Sequence, residues 1–350
     1  MVGYRKAFDI VSKLKTYEVG IFSNFDSYLN YLQNFDLVII DNNLKSYFGS
    51  GSSKYSYINC IEETKSWNGL PPILDLLIQY KINRRSRVMV IGGGVLQDAC
   101  SFCLSIFNRG IEFEFTPTTL LAMVDSCVGG KTSINYFDYK NKIGNYFPPN
   151  KIHIIPEFQK TLSNTEMFSG MGEIFKFMVL QGKFVSANEL KQNNNLINEE
   201  LILDCLRYKK SIIETDEFDN GERLKLNYGH TFGHAIEAVS KYQIPHGIGV
   251  VFGICVANQI AENKGVLSSE IRDQIEQNAK SFIDKIDWNP EWFNFKKLLT
   301  KILMDKKNTN QINMILLSEE ASNYKLQDVD QSILENSLNE TLKRLNLAYA

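Results

Sequence analysis

Over roughly the first 150 residues, short apolar runs alternate with amphipathic stretches, and the most apolar runs end in Asp or Gly. "FDLVIID" (35–41) and "SRVMVIGGG" (86–94) are nearly unbroken apolar runs, as strands buried on both faces are. "YSYINCIEE" (55–63) alternates, and "IEFEFTPTT" (111–119) alternates until Pro117 ends it. Between them, "LPPILDLLIQYKI" (70–82) has helical spacing after a proline pair. This β–α–β rhythm predicts a doubly wound α/β domain.

Beyond about residue 157 the pattern changes to long helical periods. Helices are expected over 165–182, 199–216, 228–241, 247–264, 268–283, 291–304 and 328–346. Only "NQINMILLS" (310–318) reads as extended, and "LKQNNNLINEE" (190–200) reads as a polar loop. No internal repeat is evident. The expectation is an α/β N-terminal Rossmann-like domain over 1–157 and an all-α C-terminal domain over 158–350.

Composition narrows the function classes. The chain has 350 residues, 44% hydrophobic and 22% charged, as an ordinary globular protein does. A net charge of −2 supplies no global basic field for nucleic acid, although local cationic clusters are still allowed. The start, "MVGYRKAFDIVSKLK", lacks the apolar core of a secretory signal. "HGIGVVFGICVANQIA" is broken by glycines and too short for a membrane span, so it predicts a buried helix. Six cysteines in this length make no disulfide framework, and a cytoplasmic location is expected. Cys100 and Cys103 form a C-x-x-C, but no second pair completes a four-thiolate zinc site. Small thiols packed inside a helix are the expectation there.

Two glycine-rich segments carry chemistry. Gly92-Gly93-Gly94 follows a strand and precedes a helix, where a doubly wound fold binds a pyrophosphate. The strict G-x-G-x-x-G spacing fails at Gln97, and a tight strand-to-helix turn would also use these glycines. Asp98 would suit the first helical turn through the helix dipole alone. The second segment is "VDSCVGGKTSIN" (124–135). Its Gly-Gly-Lys-Thr resembles the end of a nucleotide phosphate loop, but that loop requires glycine where Asp125 stands. The triphosphate reading fails.

Three of the four histidines, His230, His234 and His246, fall close together. His230 and His234 are spaced i, i+4 on one helix face, and His246 follows Pro245 at the start of the next helix. This favours a metal or catalytic site, whereas His153 in "KIHIIP" reads as structural. Phe232 and Gly233 between the pair exclude the H-E-x-x-H protease motif. An oxygen ligand is available in "GMGEIFKFMVL", where Glu173 and Lys176 stand i, i+3; an ordinary helix ion pair is the alternative. Lys209, Asp216, Asp219 and Arg223 precede the histidine helix, either as solvated surface or facing a site.

Together these motifs resemble 3-dehydroquinate synthases and related sugar-phosphate cyclases. The resemblance covers about 60–310 and rests on "GGGVLQD", "TPTTLLAMVDSCVGGKTSIN", "KNKIGNYFPP", "GMGEIFK", "DEFDNGERLKLNYGHTFGHAIE", "HGIGVVFG" and "MDKKN". It implies NAD binding by the first domain and metal binding by the second. It matches Glu173, His230 and His246 to ligands of Zn²⁺ or Co²⁺, and places His234 in the substrate pocket instead. It puts Lys131, Asn141, Asn227, His234 and Lys306 around the substrate phosphate, with Arg109 reaching a phosphate across a homodimer interface. Lys209 and Arg223 match the carboxylate end, and Asp125 and Lys176 the ring hydroxyls. For NAD it implies Glu62, Lys65, Gly93, Gly94, Val95, Asp98, Thr118, Thr119, Lys140, Phe158 and Thr161, and also Asp41 and Asn43.

The chain departs from the family pattern at Gln97, where a glycine is usual, at Ser101 before Phe102, and at Asp219, where a glutamate is usual. The implied reaction on a small sugar-phosphate substrate runs through oxidation, phosphate elimination, reduction, ring opening and an intramolecular aldol closure, with no net redox change. Lys209 and Arg223, with Asn227, argue for a carboxylated substrate, hence a 3-deoxy-heptulosonate 7-phosphate. Cyclases of other sugar phosphates and metal-dependent polyol dehydrogenases are the alternatives. Neither nucleic acid nor membrane is expected as a partner.

Overall fold

The computed structural model describes residues 3–49, 52–137, 139–191, 196–304, 312–318 and 324–347. By its contacts the chain divides into two compact units, Met1–Leu162 with Glu199–Glu217, and Ser163–Asn198 with Phe218–Ala350. The helix Glu199–Thr215, expected from the sequence in the second half, therefore belongs with the first unit.

The first unit contains strands β1 (Tyr4–Ile10), β2 (Tyr17–Phe22), β3 (Leu37–Asp41), β4 (Tyr55–Ile58), β5 (Val88–Gly92), β6 (Phe113–Pro117), β7 (Lys131–Tyr136), β8 (Tyr139–Tyr146) and β9 (Lys151–Ile154). Seven of them form one sheet in the order β1-β2-β9-β6-β5-β3-β4, parallel except for the β1–β2 pair. β7 and β8 form a separate antiparallel ribbon. Leu37 to Ile40 and Val88 to Ile91 are fully buried, which explains why both runs lack a polar face.

From β3 the chain steps outward to β4, returns to β5 on the other side of β3, and continues to β6. The direction of winding therefore reverses between β3 and β5. At such a switch point two loops diverge and leave a crevice at the carboxyl ends of the strands. Asp41 ends β3 and Gly92 ends β5, so both fall at that crevice. β1, β2, β9 and the β7–β8 ribbon lie outside the sequence expectation, because their mixed runs carry neither clean alternation nor an unbroken apolar stretch.

Among its described residues the second unit is helical apart from a two-stranded ribbon, Asn313–Leu317 with Tyr324–Asp328. Its central helix, His246–Asn263, is buried on nearly every side, so its sequence shows little amphipathic period. The helices Asn164–Leu180, His230–Val239 and Ser269–Ile283 lie close to their expected spans. Ser163 and Glu166 form a reciprocal capping box that starts the first of these. No helix among the described residues is long and apolar enough to cross a membrane.

Candidate functional site

Two side-chain clusters gather the residues singled out above, one in each unit.

In the first unit, Gly93 caps the helix Gly94–Ile106, whose first turn faces the β3/β5 crevice with unsatisfied peptide N–H groups. Packing explains Gly93, because a Cβ there would lie 2.8 Å from Thr119 Cγ2. Packing does not explain Gly94, where the nearest atom to an added Cβ is Ser126 Oγ at 3.6 Å. The open space at Gly94 suits close approach of a ligand's phosphate to the helix start. Val95 follows in the same turn. Thr118 N–H donates to the Gly92 carbonyl at 3.0 Å, and Thr119 Oγ1 accepts from Ala122 N–H at 3.2 Å.

Asp98, one turn further along, pairs with Lys65 and accepts from Ser133 Oγ at 3.3 Å. Burial pushes the Asp98 carboxyl up, with Lys65 acting against it. Ser133 Oγ also lies 3.0 Å from Asn141 Oδ1, so its one proton is shared between the two acceptors. Asn141, in left-handed backbone (φ 52°), is held through its N–H by Asn135, whose amide donates to Glu62. Lys140 Nζ lies 3.5 Å from the same Glu62 carboxylate. Lys65, Asp98, Ser133, Asn141, Asn135, Glu62 and Lys140 thus form one continuous polar network. Asp41 Oδ1 accepts from Asn43 N–H at 3.0 Å at the end of β3. Phe158 is buried against Phe25, Phe48 and Tyr47, and Thr161 Oγ1 donates to its carbonyl at 2.8 Å.

The segment Val124–Asn135 resolves into a turn and a strand. Ala122–Ser126 is a single wide π-turn, in which Cys127 N–H reaches back to the Ala122 carbonyl at 3.2 Å. Gly129 (φ 103°) and Gly130 (φ 61°) carry the chain through left-handed backbone into β7. That conformation is the physical reason for the glycine pair. Lys131, exposed, opens β7. Lys209 is buried and donates to the Asp125 carbonyl at 2.6 Å, with its Nζ 2.9 Å from Asp125 Oδ1. The pairing of Lys209 with Asp125 is a contact that the sequence reading did not foresee. Arg109 is exposed on the turn Phe107–Arg109.

In the second unit, Glu173, His230 and His246 bring one carboxylate and two imidazoles within 4.8 Å of one another. Glycines make this possible. A Cβ on Gly172 would fall 2.2 Å from the Gly247 carbonyl oxygen, and one on Gly253 would fall 1.9 Å from that of Gly229. The three helix backbones therefore touch where their functional side chains begin. His230 and His246 each open a helix, after left-handed Gly229 (φ 78°) and Pro245.

His230 Nδ1 lies 3.1 Å from the Tyr228 carbonyl, and His246 Nδ1 lies 2.9 Å from Glu237 Oε1. Both partners only accept, so each Nδ1 carries a proton and each Nε2 is turned toward Glu173. Those Nε2 atoms stand 3.5 Å (His230) and 3.2 Å (His246) from Glu173 Oε1. Glu173 is fully buried, and neither of its oxygens makes a well-formed hydrogen bond. Lys176, also buried, pairs with its second oxygen. Burial would raise the Glu173 carboxyl, but Lys176 and the imidazoles hold it well below the usual carboxylate range. Burial and Lys176 keep His230 neutral, whereas Glu237 and Glu173 overcome burial and raise His246 to about 10. One carboxylate and two imidazoles converge here, and a divalent cation would take the place of the Nε2 proton that the raised His246 holds. Two nitrogens and one oxygen, without thiolate, form a set that Zn²⁺ or Co²⁺ accepts.

His234 does not join this set. It is exposed, and its ring stacks on His246 at 5.8 Å. The i, i+4 spacing was thus a guide to the region, while the carboxylate came from another helix. His234, Glu237 and His246 form a second, overlapping cluster. Glu237 is the residue that sequence reasoning missed; its signal was an acid one turn after His234 inside an apolar helix. Arg223 is buried, and Asn227 Nδ2 donates to the Leu224 carbonyl at 3.0 Å. Lys306 lies outside the described residues. Cys100 and Cys103 are buried free thiols of the helix Gly94–Ile106, both pushed up by burial, Cys103 to about 12.

Residues 56–169 match the family model described as 3-dehydroquinate synthase N-terminal, and residues 170–308 that described as 3-dehydroquinate synthase C-terminal. The chain is 35% identical to the 3-dehydroquinate synthase of Clostridium botulinum (strain Alaska E43 / Type E3) over 287 residues, covering 81% of this chain and 79% of that one. In fold it is similar to 2-deoxy-scyllo-inosose synthase complexed with carbaglucose-6-phosphate, NAD⁺ and Co²⁺, with a TM-score of 0.82, 21% identity, and 96% and 99% of the two chains covered. It is also similar to ValA, the 2-epi-5-epi-valiolone synthase from Streptomyces hygroscopicus subsp. jinggangensis 5008 with NAD⁺ and Zn²⁺ bound, with a TM-score of 0.78, 21% identity, and coverage of 97% and 99%. Matched along most of its length by both halves of one family and by relatives covered over most of theirs, the chain belongs to the 3-dehydroquinate synthase family.

Proposed function

We propose that the chain converts 3-deoxy-arabino-heptulosonate 7-phosphate to 3-dehydroquinate and phosphate, as a carbon–oxygen lyase that uses NAD and a divalent cation, Zn²⁺ by preference. The observation that carries this reading is the buried Glu173 carboxylate faced by the Nε2 atoms of two imidazoles, in a chain of this family. Glu173, His230 and His246 would hold the cation. The turn Gly93–Val95, with Lys65 and Asp98 behind it, would hold the dinucleotide. When bound, the cation supplies Lewis acidity at a substrate hydroxyl, and the dinucleotide a hydride acceptor that gives the hydride back.

The chain's own residues orient and hold charge. His230 and His246 keep their Nδ1 protons on Tyr228 and Glu237, which fixes both rings. Asp125 fixes the Lys209 ammonium, and by the family resemblance Lys209 and Arg223 would meet a substrate carboxylate. Lys131, Asn141, Asn227 and His234 would receive the phosphate that leaves. The reading extends to a homodimer in which Arg109 reaches the partner's substrate phosphate, and to a cytoplasmic location, in keeping with a cysteine pattern that makes no disulfide framework.

The test is phosphate release with NAD present, comparing the deoxy-heptulosonate 7-phosphate, sedoheptulose 7-phosphate and glucose 6-phosphate. Release from the first without accumulation of NADH is expected. Preference for either of the others overturns the substrate assignment, and stoichiometric NADH from a polyol without phosphate release overturns the reaction.

A further inference from the structure

Gln97 stands in the first turn after the glycines, where the family usually has glycine, and the residue is 7% exposed. Its amide bonds twice to one residue. Nε2 donates to the Ser126 carbonyl at 2.8 Å, and Ser126 Oγ donates to Oε1 at 2.9 Å. Only one orientation of the amide satisfies both, because the reverse would set oxygen against carbonyl. From behind, Ser101, a second departure from the family pattern, donates its hydroxyl to the Gln97 carbonyl at 2.6 Å.

Ser126 closes the π-turn that presents Asp125, and such a wide turn leaves its carbonyls without regular helical partners. Gln97 supplies the missing donor at Ser126. The next residue back, Asp125, receives Lys209 through both its carbonyl and its carboxylate. Ser126 Oγ is also the atom nearest the open side of Gly94. A single amide therefore ties the glycine turn to the turn that carries the Asp125–Lys209 pair. A glycine at this position could make neither bond.

We propose that Gln97 is a positioning residue: through Ser126 it holds the π-turn so that Asp125 and Lys209 keep a fixed place relative to Gly94. This rests on the function proposed above. Gln97→Met keeps the volume and removes both bonds. Gln97→Glu keeps the acceptor, but it can donate to the Ser126 carbonyl only when protonated. Misplacement of a reacting group by a fraction of an ångström to 1 Å costs about 10- to 100-fold in rate.

The experiment measures phosphate-release kinetics, NAD affinity and hydrogen–deuterium exchange over 122–127 for the parent, Gln97→Met and Gln97→Glu. For Gln97→Met we expect kcat to fall about tenfold or more, NAD affinity within twofold of the parent, and faster exchange over 122–127. For Gln97→Glu we expect impairment at pH 8 that recovers as pH falls toward 6, a response that a space-filling role would not produce. Parent-like kcat in Gln97→Met, unchanged exchange, or a parent-like pH profile in Gln97→Glu each overturns the proposal. Failure of the parent itself to release phosphate from any of the three sugar phosphates overturns the functional reading instead, and exchange over 122–127 still decides whether the clamp exists.

Discussion

The imidazole rings of His230 and His246 owe their orientation to the acceptors behind them, a carbonyl and the Glu237 carboxylate. Removing the charge behind His246 with Glu237→Gln should weaken divalent-metal affinity about 10- to 100-fold, read by chelator competition. Glu173→Gln removes the one anion of the set and should leave the purified protein without stoichiometric metal, read by elemental analysis. A third buried acid has a different role. Glu114 accepts from Tyr31 at 2.7 Å and Arg87 at 3.1 Å, and its Oε2 lies 2.6 Å from His153 Nε2. Burial would raise its carboxyl, but these partners outweigh burial and lower it. A lowered carboxyl stabilises the fold above its unfolded pKa, and that contribution is lost as pH falls through the folded value. Glu114→Gln should therefore cost about 3–5 kcal/mol near pH 7 in urea unfolding, with the gap to the parent narrowing below about pH 4. The structural reading of His153 was legible because a lone histidine in an apolar strand needs one buried acceptor; that the acceptor is Glu114, on the neighbouring β6, was not.

Where helices cross, glycine sets the distance. The glycines of "HGIGVVFG" do not break the helix His246–Asn263; they let Ser169, Gly172, Gly229 and Gly233 approach its backbone. A Cβ on Gly247 would lie 1.9 Å from the Ser169 carbonyl oxygen. Gly247→Ala should destabilise the fold by at least about 1–3 kcal/mol and also lower metal affinity, since it pushes His246 away from Glu173. Gly265 has φ 67° but nothing within 4 Å, so Gly265→Ala should cost only backbone strain and leave metal affinity unchanged. Thermal melting paired with metal titration separates the two. Helix and strand existence was legible from period and turn residues. The β7–β8 ribbon and the edge strands were not, because their pairing is decided by partners distant in sequence.

The order of segments along the chain differs from their order in space. The helix Glu199–Thr215 leaves the second unit's sequence and packs with the first, where Lys209 meets Asp125 and Glu217 accepts from Lys13 N–H at 2.6 Å. A fragment ending at Leu162 lacks this helix, so we expect it to melt without the cooperative transition of the full chain, by calorimetry. A cooperative, parent-like transition would show that the helix contributes nothing to the unit. The sequence alone sufficed for the α/β first half, the helical second half, the glycine turn after β5 and the histidine-rich region, because these depend on local period, turn chemistry and motif. Tertiary structure alone decided that Glu237 stands behind His246, that Gln97 fastens the Asp125 turn, and that Lys209 pairs with Asp125. Each of these is a contact between different elements of the chain, set by how closely backbones pack, and the spacing of residues along one helix or strand carries no record of that distance.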